Sequence, residues 1–597
     1  MCAGSSKTKE KRSSMRSKFI AAAISIAALS MPATAMAHGD KSGPAGGGGA
    51  GQAQLAGQSA VTLQGALSSA NAQQGAVNTN APVNVGGGHP SGGGSPCGCD
   101  QPSGNDNGQK PTGKPSDGKP SGGSNSANQI ALNGAASHAG NSASTKQANT
   151  QTQTAGSSCS AACGGAGQAQ LSGQKSLTGQ FAGSSANSNQ TATNADTPVH
   201  VAGSAVSGDK GDSPSGGDPS GESSATQGAG NLALSGAGND ATTKQTNNQK
   251  QTASSDCQWS CGGAGQLQAS GQSAATLQGA VSNADANQTA VNGNAPVNVS
   301  AGSISGGDNS ANQGAFNKAG SLAGNRSTTN QTNTQTQTAG SNCIAACGGA
   351  GQAQLSGQHS FTGQRAGSSA NADQTAVNAN VPVNISAGDI SGGDNSADQI
   401  AGNGAFSGAG NNATTNQTNT QTQTAGSNCI AACGGAGQLQ GSDQSSATLQ
   451  GAASSANADQ TAVNANVPVN ISAGDISGGD NSANQIAGNG ALSGAGNNAT
   501  TNQTNTQTQT AGSDCAAACG GAGQAQLSGQ QSITAQLASS CANADQTAVN
   551  ANVPVNIGAG DISGGDNSAT QFALNGALSG AFNSGTTNQT NTQTQGS

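Results

Sequence analysis

The chain has 597 residues, with 18 Lys and Arg against 26 Asp and Glu, 95 Gly, no Tyr and one Trp. At 7% charged and 1% aromatic residues, it offers no clustered cationic surface for nucleic acid or anionic lipid. Large apolar side chains are too few to offset the ordering of so long a backbone, so stacked, hydrogen-bonded strands must supply the difference or the chain stays largely disordered.

The first predicted element is a signal peptide over 1–37. Lys7, Lys9, Lys11, Arg12, Arg16 and Lys18 form a basic segment, an apolar run follows from Phe19 to Met31, and Ala35-Met36-Ala37 is a small-residue cleavage site. That plan directs secretion, with cleavage expected between Ala37 and His38. The apolar run is too short to span a bilayer, so no integral membrane segment is expected after cleavage. Losing six basic residues and Glu10 leaves 12 basic and 25 acidic side chains.

After a Gly-rich leader at 38–47 the chain is a tandem array. Cys-Gly-Gly-Ala-Gly-Gln recurs at Cys163, Cys261, Cys347, Cys433 and Cys519. The repeats run 48–163, 164–261, 262–347, 348–433, 434–519 and 520–597. The first two are longer because Gly/Pro/Ser-rich inserts at 86–121 and 208–222 interrupt them, which marks that position as a flexible surface loop. A fixed period of this kind signals a solenoid or an array of small units.

Within a repeat, Val381-Pro382-Val383-Asn384-Ile385 alternates as a strand does, and Pro382 marks an edge or a strand end. Gln417 to Thr424 alternates amide and hydroxyl residues, which places Thr on one face and Gln or Asn on the other. Gly and Ser boundaries divide the repeat into four segments of about 22 residues, each read as one rung of a β-solenoid. The expected fold class is therefore all-β, a tandem β-solenoid-like array with inward Asn and Gln forming amide ladders; the alternative is a largely disordered chain.

Two families resemble parts of this unit. Gly408-x-Gly410-Asn411-x-Ala413-x3-Gln417, with counterparts beginning at Gly494 and Gly236, resembles the second half of a curlin repeat. Val381-Pro382-Val383-Asn384-Ile385 and Ala295-Pro296-Val297-Asn298-Val299 are similar to the Pro-Val-Asn-Val core of actinobacterial chaplins, although Ser386 and Ser300 stand where chaplins often have a cysteine. Both resemblances imply a secreted amyloid-type surface protein that self-assembles through β structure.

Five Cys-x3-Cys pairs lie at the repeat junctions: Cys159/Cys163, Cys257/Cys261, Cys343/Cys347, Cys429/Cys433 and Cys515/Cys519. In a secreted chain they are disulfide candidates, as are Cys97 and Cys99 in the first insert. The odd number in the mature chain leaves Cys541 unpaired. Asp389, Asp394 and Asp398 surround a Gly-Gly turn and read as solvated turn acids rather than a calcium loop. Asn330, Asn416, Asn502 and Asn588 match the glycosylation pattern, which chance explains in so Asn- and Thr-rich a chain.

No catalytic constellation recurs. His38, His89, His138, His200 and His359 are scattered, so no enzyme, cofactor or metal site is expected. The reading is a secreted structural repeat protein, extracellular or on the cell surface. It self-associates into fibres or a layer by Asn/Gln-lined strand stacking, with a cell-envelope partner left unidentified. The competing reading is an adhesin or ice-binding protein that uses Thr-rich faces.

Overall fold

The computed structural model describes residues 51–86, 125–159, 162–202, 222–257, 260–305, 308–344, 346–391, 393–430, 432–477, 479–515, 518–563 and 565–596. The signal peptide with its Ala37/His38 cleavage site, the leader, most of both inserts and the Cys97/Cys99 pair lie outside them. All the described regular structure is β.

Each repeat forms one rung of a parallel β-solenoid. In the fourth rung a long strand at Ala350–Asn380 is followed by short strands at Val383–Ser386 and Ile390–Ser391. A second long strand then returns at Asn395–Cys429, and a two-residue strand at Ala432–Cys433 closes the rung. The two long strands have 31 and 35 residues, so each is on the order of 100 Å long. First long strands stack only on first long strands, and second on second, giving two six-stranded parallel sheets with rungs in sequence order. Gly51 pairs with Gly167, Gly167 with Gly265, and Gly351 with Gly437. Partners are thus offset by 116, 98 and then 86 residues.

The expected rung of about 22 residues is therefore corrected to one rung per repeat. Two of the expected boundaries, after Ser369 and after Asn411, fall inside the fourth rung's two long strands with the pairing continuing on both sides. Pro382 lies in the two-residue break where the first long strand ends, and its carbonyl accepts from Val469 N at 2.8 Å.

The interior between the two sheets contains small and amide side chains. Ala186, Ala233, Ala284 and Ala319 pack in one column, and Ala192, Ala229 and Ala290 in another. Alanine suits these columns because it lets the sheets approach closely at no rotamer cost. Beside the first column, on the side away from the second, serines zigzag from sheet to sheet: Ser235 Oγ donates to Ser184 Oγ, which donates to Ser137 Oγ, both at 2.9 Å. Of the fourth rung's large apolar side chains, Ile390 is buried at 1% exposure, with Ile304 and Ile476 above and below it. Leu355, Phe361, Ile400 and Phe406 are 48%, 37%, 49% and 40% exposed. Strand alternation assigns the inner face to Ala, Gln, Asn and Ser, as the expected inward amide ladders require, and sends most of the large residues outward.

The recurring Gly-Gly after each junction cysteine follows from a close approach of backbones. A Cβ on Gly348 would stand 2.2 Å from Gly263 N, and one on Gly349 would stand 2.4 Å from Gly435 O. No side chain fits where the chain crosses from one rung to the next.

Candidate assembly surface

The ladders that hold the rungs together have a direction. Gln170 Nε2 donates to Gln54 Oε1 in the rung before it at 3.3 Å, and Gln268 Nε2 to Gln170 Oε1 at 3.1 Å. Gln354 and Gln440 continue the column in the same sense. The second N–H of each amide crosses the interior to a backbone carbonyl of the facing sheet, as Gln354 does to Thr422 O at 3.2 Å. Inward asparagines run the opposite way. Asn78 Nδ2 donates forward to Asn194 Oδ1, Asn194 to Asn292 and Asn292 to Asn378, each at 2.9 Å. These groups are fully buried in the middle rungs, where an unmatched amide costs about 1–3 kcal/mol.

A directed ladder has unlike ends. In the first rung Gln58 Nε2 spends one N–H on Ala148 O at 2.9 Å, and among the described residues its other hydrogen has no earlier rung to reach. In the last rung Gln530 donates to Gln444 Oε1 at 2.8 Å and to Thr590 O at 3.1 Å. Among the described residues its own oxygen accepts nothing. Asn78 and Asn550 stand in the converse relation at the ends of the asparagine column. Among the described residues neither end is covered: the first rung's first strand has no buried position, and the last rung's second strand is exposed along nearly its whole length.

The inward residues at the two ends also correspond. Following the register from rung to rung, Gln526, Gln530, Gln536, Asn550 and Asn552 stand in the columns of Gln54, Gln58, Gln64, Asn78 and Asn80. Gln571, Gln589 and Gln593 likewise share columns with Gln129, Gln147 and Gln151.

The outer face adds a two-rung rhythm. Leu63, Leu277 and Leu449 alternate down one column with Gly179, Gly363 and Ala535, and in the next column Phe181, Arg365 and Leu537 alternate with Gly65, Gly279 and Gly451. Leu63, Phe181 and Leu277 lean onto the following rung. A Cβ on Gly179 would lie 2.7 Å from Leu63 Cδ2, and one on Gly279 would lie 3.1 Å from Phe181 Cδ2. With six rungs, Leu537 at one end and Gly65 at the other continue this rhythm, and nothing among the described residues lies within 4 Å of a Cβ on Gly65.

The junction cysteines stack in register, Cys257 on Cys343 on Cys429 and Cys261 on Cys347 on Cys433. Cys159 and Cys515 extend the first column and Cys163 and Cys519 the second. Cys541 pairs in the sheet with Ser455. It has an interaction partner, as Cys347 does.

The turn acids separate into ladders. Asp475 N donates to Asp389 Oδ1 at 2.9 Å and Asp480 N to Asp394 Oδ1 at 3.0 Å, while Asp398 accepts from Asn484 Nδ2 at 3.0 Å further along the strand. Among the described residues no group of three or more His, Cys, Asp and Glu side chains is placed to hold a metal ion. His138 and His359 point outward, and His359 Nδ1 lies 2.6 Å from Ser445 Oγ.

Two titratable groups interrupt the inner ladders of the second rung. Asp196 stands in an asparagine column, taking a hydrogen bond from Asn80 at 2.9 Å and one from Ser223 at 3.0 Å. Burial raises its pKa above the ordinary carboxylate value of 3.8, against the lowering effect of those bonds. His200 stands where Asn298 and Asn384 continue the column, and burial lowers its pKa below 6.5. Sequence reading did not single out either as an interior group. The signal was present, since aligning the repeats shows each as the one departure from Asn in its column.

No family model matches this chain, and no curated protein and no solved structure matches it. Among the described residues no helix is long and apolar enough to cross a membrane. The fold and its ladders define a structural repeat protein built by parallel strand stacking.

Proposed function

We propose that this chain is a secreted structural protein that grows extracellular fibres or a surface layer by adding six-rung units end to end. The observation that carries this reading is the correspondence of the two uncovered ends. Gln58 presents a donor where Gln530 of another copy presents an acceptor, and the inward amides of both ends fall in the same columns. A parallel sheet edge with unpaired backbone groups is a template for another chain, and here two edges about 100 Å long act together. Head-to-head contact would set donor against donor, so growth is polar. The stretches that resemble curlin and chaplin repeats contribute to these ladders, through Asn411, Gln417 and Asn384, and support the same reading. The cysteine columns at the rung junctions would serve as disulfide staples along the fibre.

Thioflavin T kinetics and fibre diffraction on residues 38–597 test this. Assembly that depends on concentration, with a reflection near about 4.8 Å along the fibre axis, is the expected result. A chain that stays monomeric and gives no such reflection at millimolar concentration would remove the proposal.

A further inference from the structure

The second long strand carries a patterned outer face that fibre growth leaves uncovered. In the third rung its outward positions read Thr328, Asn330, Thr332, Thr334, Thr336 and Thr338. The fourth and fifth rungs repeat that row in register, and the sixth repeats it as far as Thr594. The first two rungs break the pattern with Lys146, Ala148, Lys244, Asn248 and Lys250. Four consecutive rungs therefore present threonines as a two-dimensional array. Its repeat is about 4.8 Å along the solenoid axis and about 6.6 Å along the strand.

The array is held from behind. The alternate residues of the same strands, Gln331, Asn333, Gln335 and Gln337, are at most 1% exposed. Each hydrogen-bonds to its counterpart in a neighbouring rung. From the facing sheet, Gln352, Gln354 and Gln358 donate to the carbonyls of Thr424, Thr422 and Thr418 at 3.0, 3.2 and 3.0 Å. The fifth rung repeats all three bonds. The threonine backbone is thus pinned through both its own amide ladders and those opposite, and the β-branched side chains have little χ1 freedom. Any lattice presented by this face is fixed before a ligand arrives, which lowers the ordering cost of binding.

We propose that this face binds the surface of ice. The array has no charge and no concavity, so it does not suit a discrete soluble ligand. What it offers is a repeating set of hydroxyl and methyl groups, and the matching partner is a surface that repeats in two directions. Ordered water is such a surface: its prism face has in-plane repeats near those of the array, hydroxyls join its hydrogen-bond net, and methyls seat in its hollows. A crystalline polysaccharide also repeats, but it is recognised largely by stacking sugar faces on aromatic rings, and the array contains none.

The test measures thermal hysteresis and ice recrystallisation in dilute, unassembled mature protein, with ice as the probe. Wild type is expected to shape ice crystals and show hysteresis. The triple variant T334Y/T420Y/T506Y, which raises bulk along one central column, is expected to lose it. T375Y/T461Y, in an outward threonine column of the other sheet, is expected to keep it. If the tyrosine variant fails to fold by circular dichroism, T334S/T420S/T506S keeps the hydroxyls, removes the methyls and should weaken hysteresis. Absence of hysteresis in wild type, equal loss in array and control variants, or retention on crystalline cellulose without effect on ice would each overturn the proposal. Because unassembled protein is used, failure of fibre growth does not bear on the result.

Discussion

Leu277 Cδ2 stands 2.9 Å from where a Cβ on Gly363 would be. The leucine of one rung occupies the space the next rung leaves by having glycine, so a side chain at 363 must displace a packed neighbour. Gly363→Val is expected to destabilise the protein by about 1–3 kcal/mol, the usual cost of overpacking. Gly367→Ala is the control, since nothing lies within 4 Å of a Cβ there. Denaturant unfolding of the two variants checks the difference; equal stability would mean the leucine moves aside freely.

The junction glycines should be less forgiving. At Gly434 an added Cβ would meet Gly349 N at 2.2 Å, a contact with backbone that no rotamer change relieves. Gly434→Ala is expected to cost more than Gly363→Val and to open the rung locally. Hydrogen exchange read by mass spectrometry around residues 432–437 reports it. Wild-type protection there would show that the crossing tolerates a methyl group.

Acid should act on the second rung in two opposed ways. The folded pKa of Asp196 is raised above 3.8, so the folded state binds the extra proton between that value and the raised one. Stability from this group falls as pH rises through the window and stays reduced at neutral pH. The folded pKa of His200 is lowered below 6.5, so its contribution is present above 6.5 and is lost as pH falls through the lowered value. Asp196→Asn should therefore stabilise the protein at pH 7, and His200→Asn should flatten its loss of stability on mild acidification. Urea midpoints from pH 7 to pH 4 decide both, and a curve unchanged by either substitution would contradict these assignments.

Ladder polarity makes growth sensitive to one end only. Gln54→Glu, Gln58→Glu and Gln64→Glu in the first rung keep acceptors for Gln170, Gln174 and Gln180 within the molecule, but remove the N–H groups owed to an incoming copy, along with the internal bonds to Thr152 O and Ala148 O. At about 1–3 kcal/mol for each acceptor left unmatched, the critical concentration for assembly should rise by at least about tenfold at neutral pH. Gln530→Glu in the last rung leaves an acceptor facing outward and should affect internal stability more than growth. Sedimentation of assembled material measures both, and equal effects at the two ends would contradict directional growth.

Much of this architecture was legible in the chain. The amide ladders followed from the Asn and Gln content, and the split of Thr and Gln between faces followed from the alternation at Gln417 to Thr424. The length of the rung was not legible. Gly357, Gly363 and Gly367 look like punctuation, yet each falls on an outward position where a strand needs no side chain. The outward placement of the large apolar residues was not legible for a related reason. Hydropathy contrast separates Leu and Phe from polar residues, whereas this inner face is set by size and by hydrogen-bond pairing, so Ala370, Gln374 and Ala376 are buried and Leu355 is not. The end-to-end match of Gln58 and Gln530 was hidden until the register was known.

The double commitment of interior glutamines such as Gln354 and Gln421, one N–H to the rung before and one across to the facing sheet, has a mechanical consequence. Separating two rungs by a pull along the axis requires breaking two strands' worth of backbone bonds together with the amide column, all loaded side by side. The crosslinks between sheets keep one strand from peeling ahead of the other. Such a body resists tension as a riveted plate does, failing across its full width or not at all.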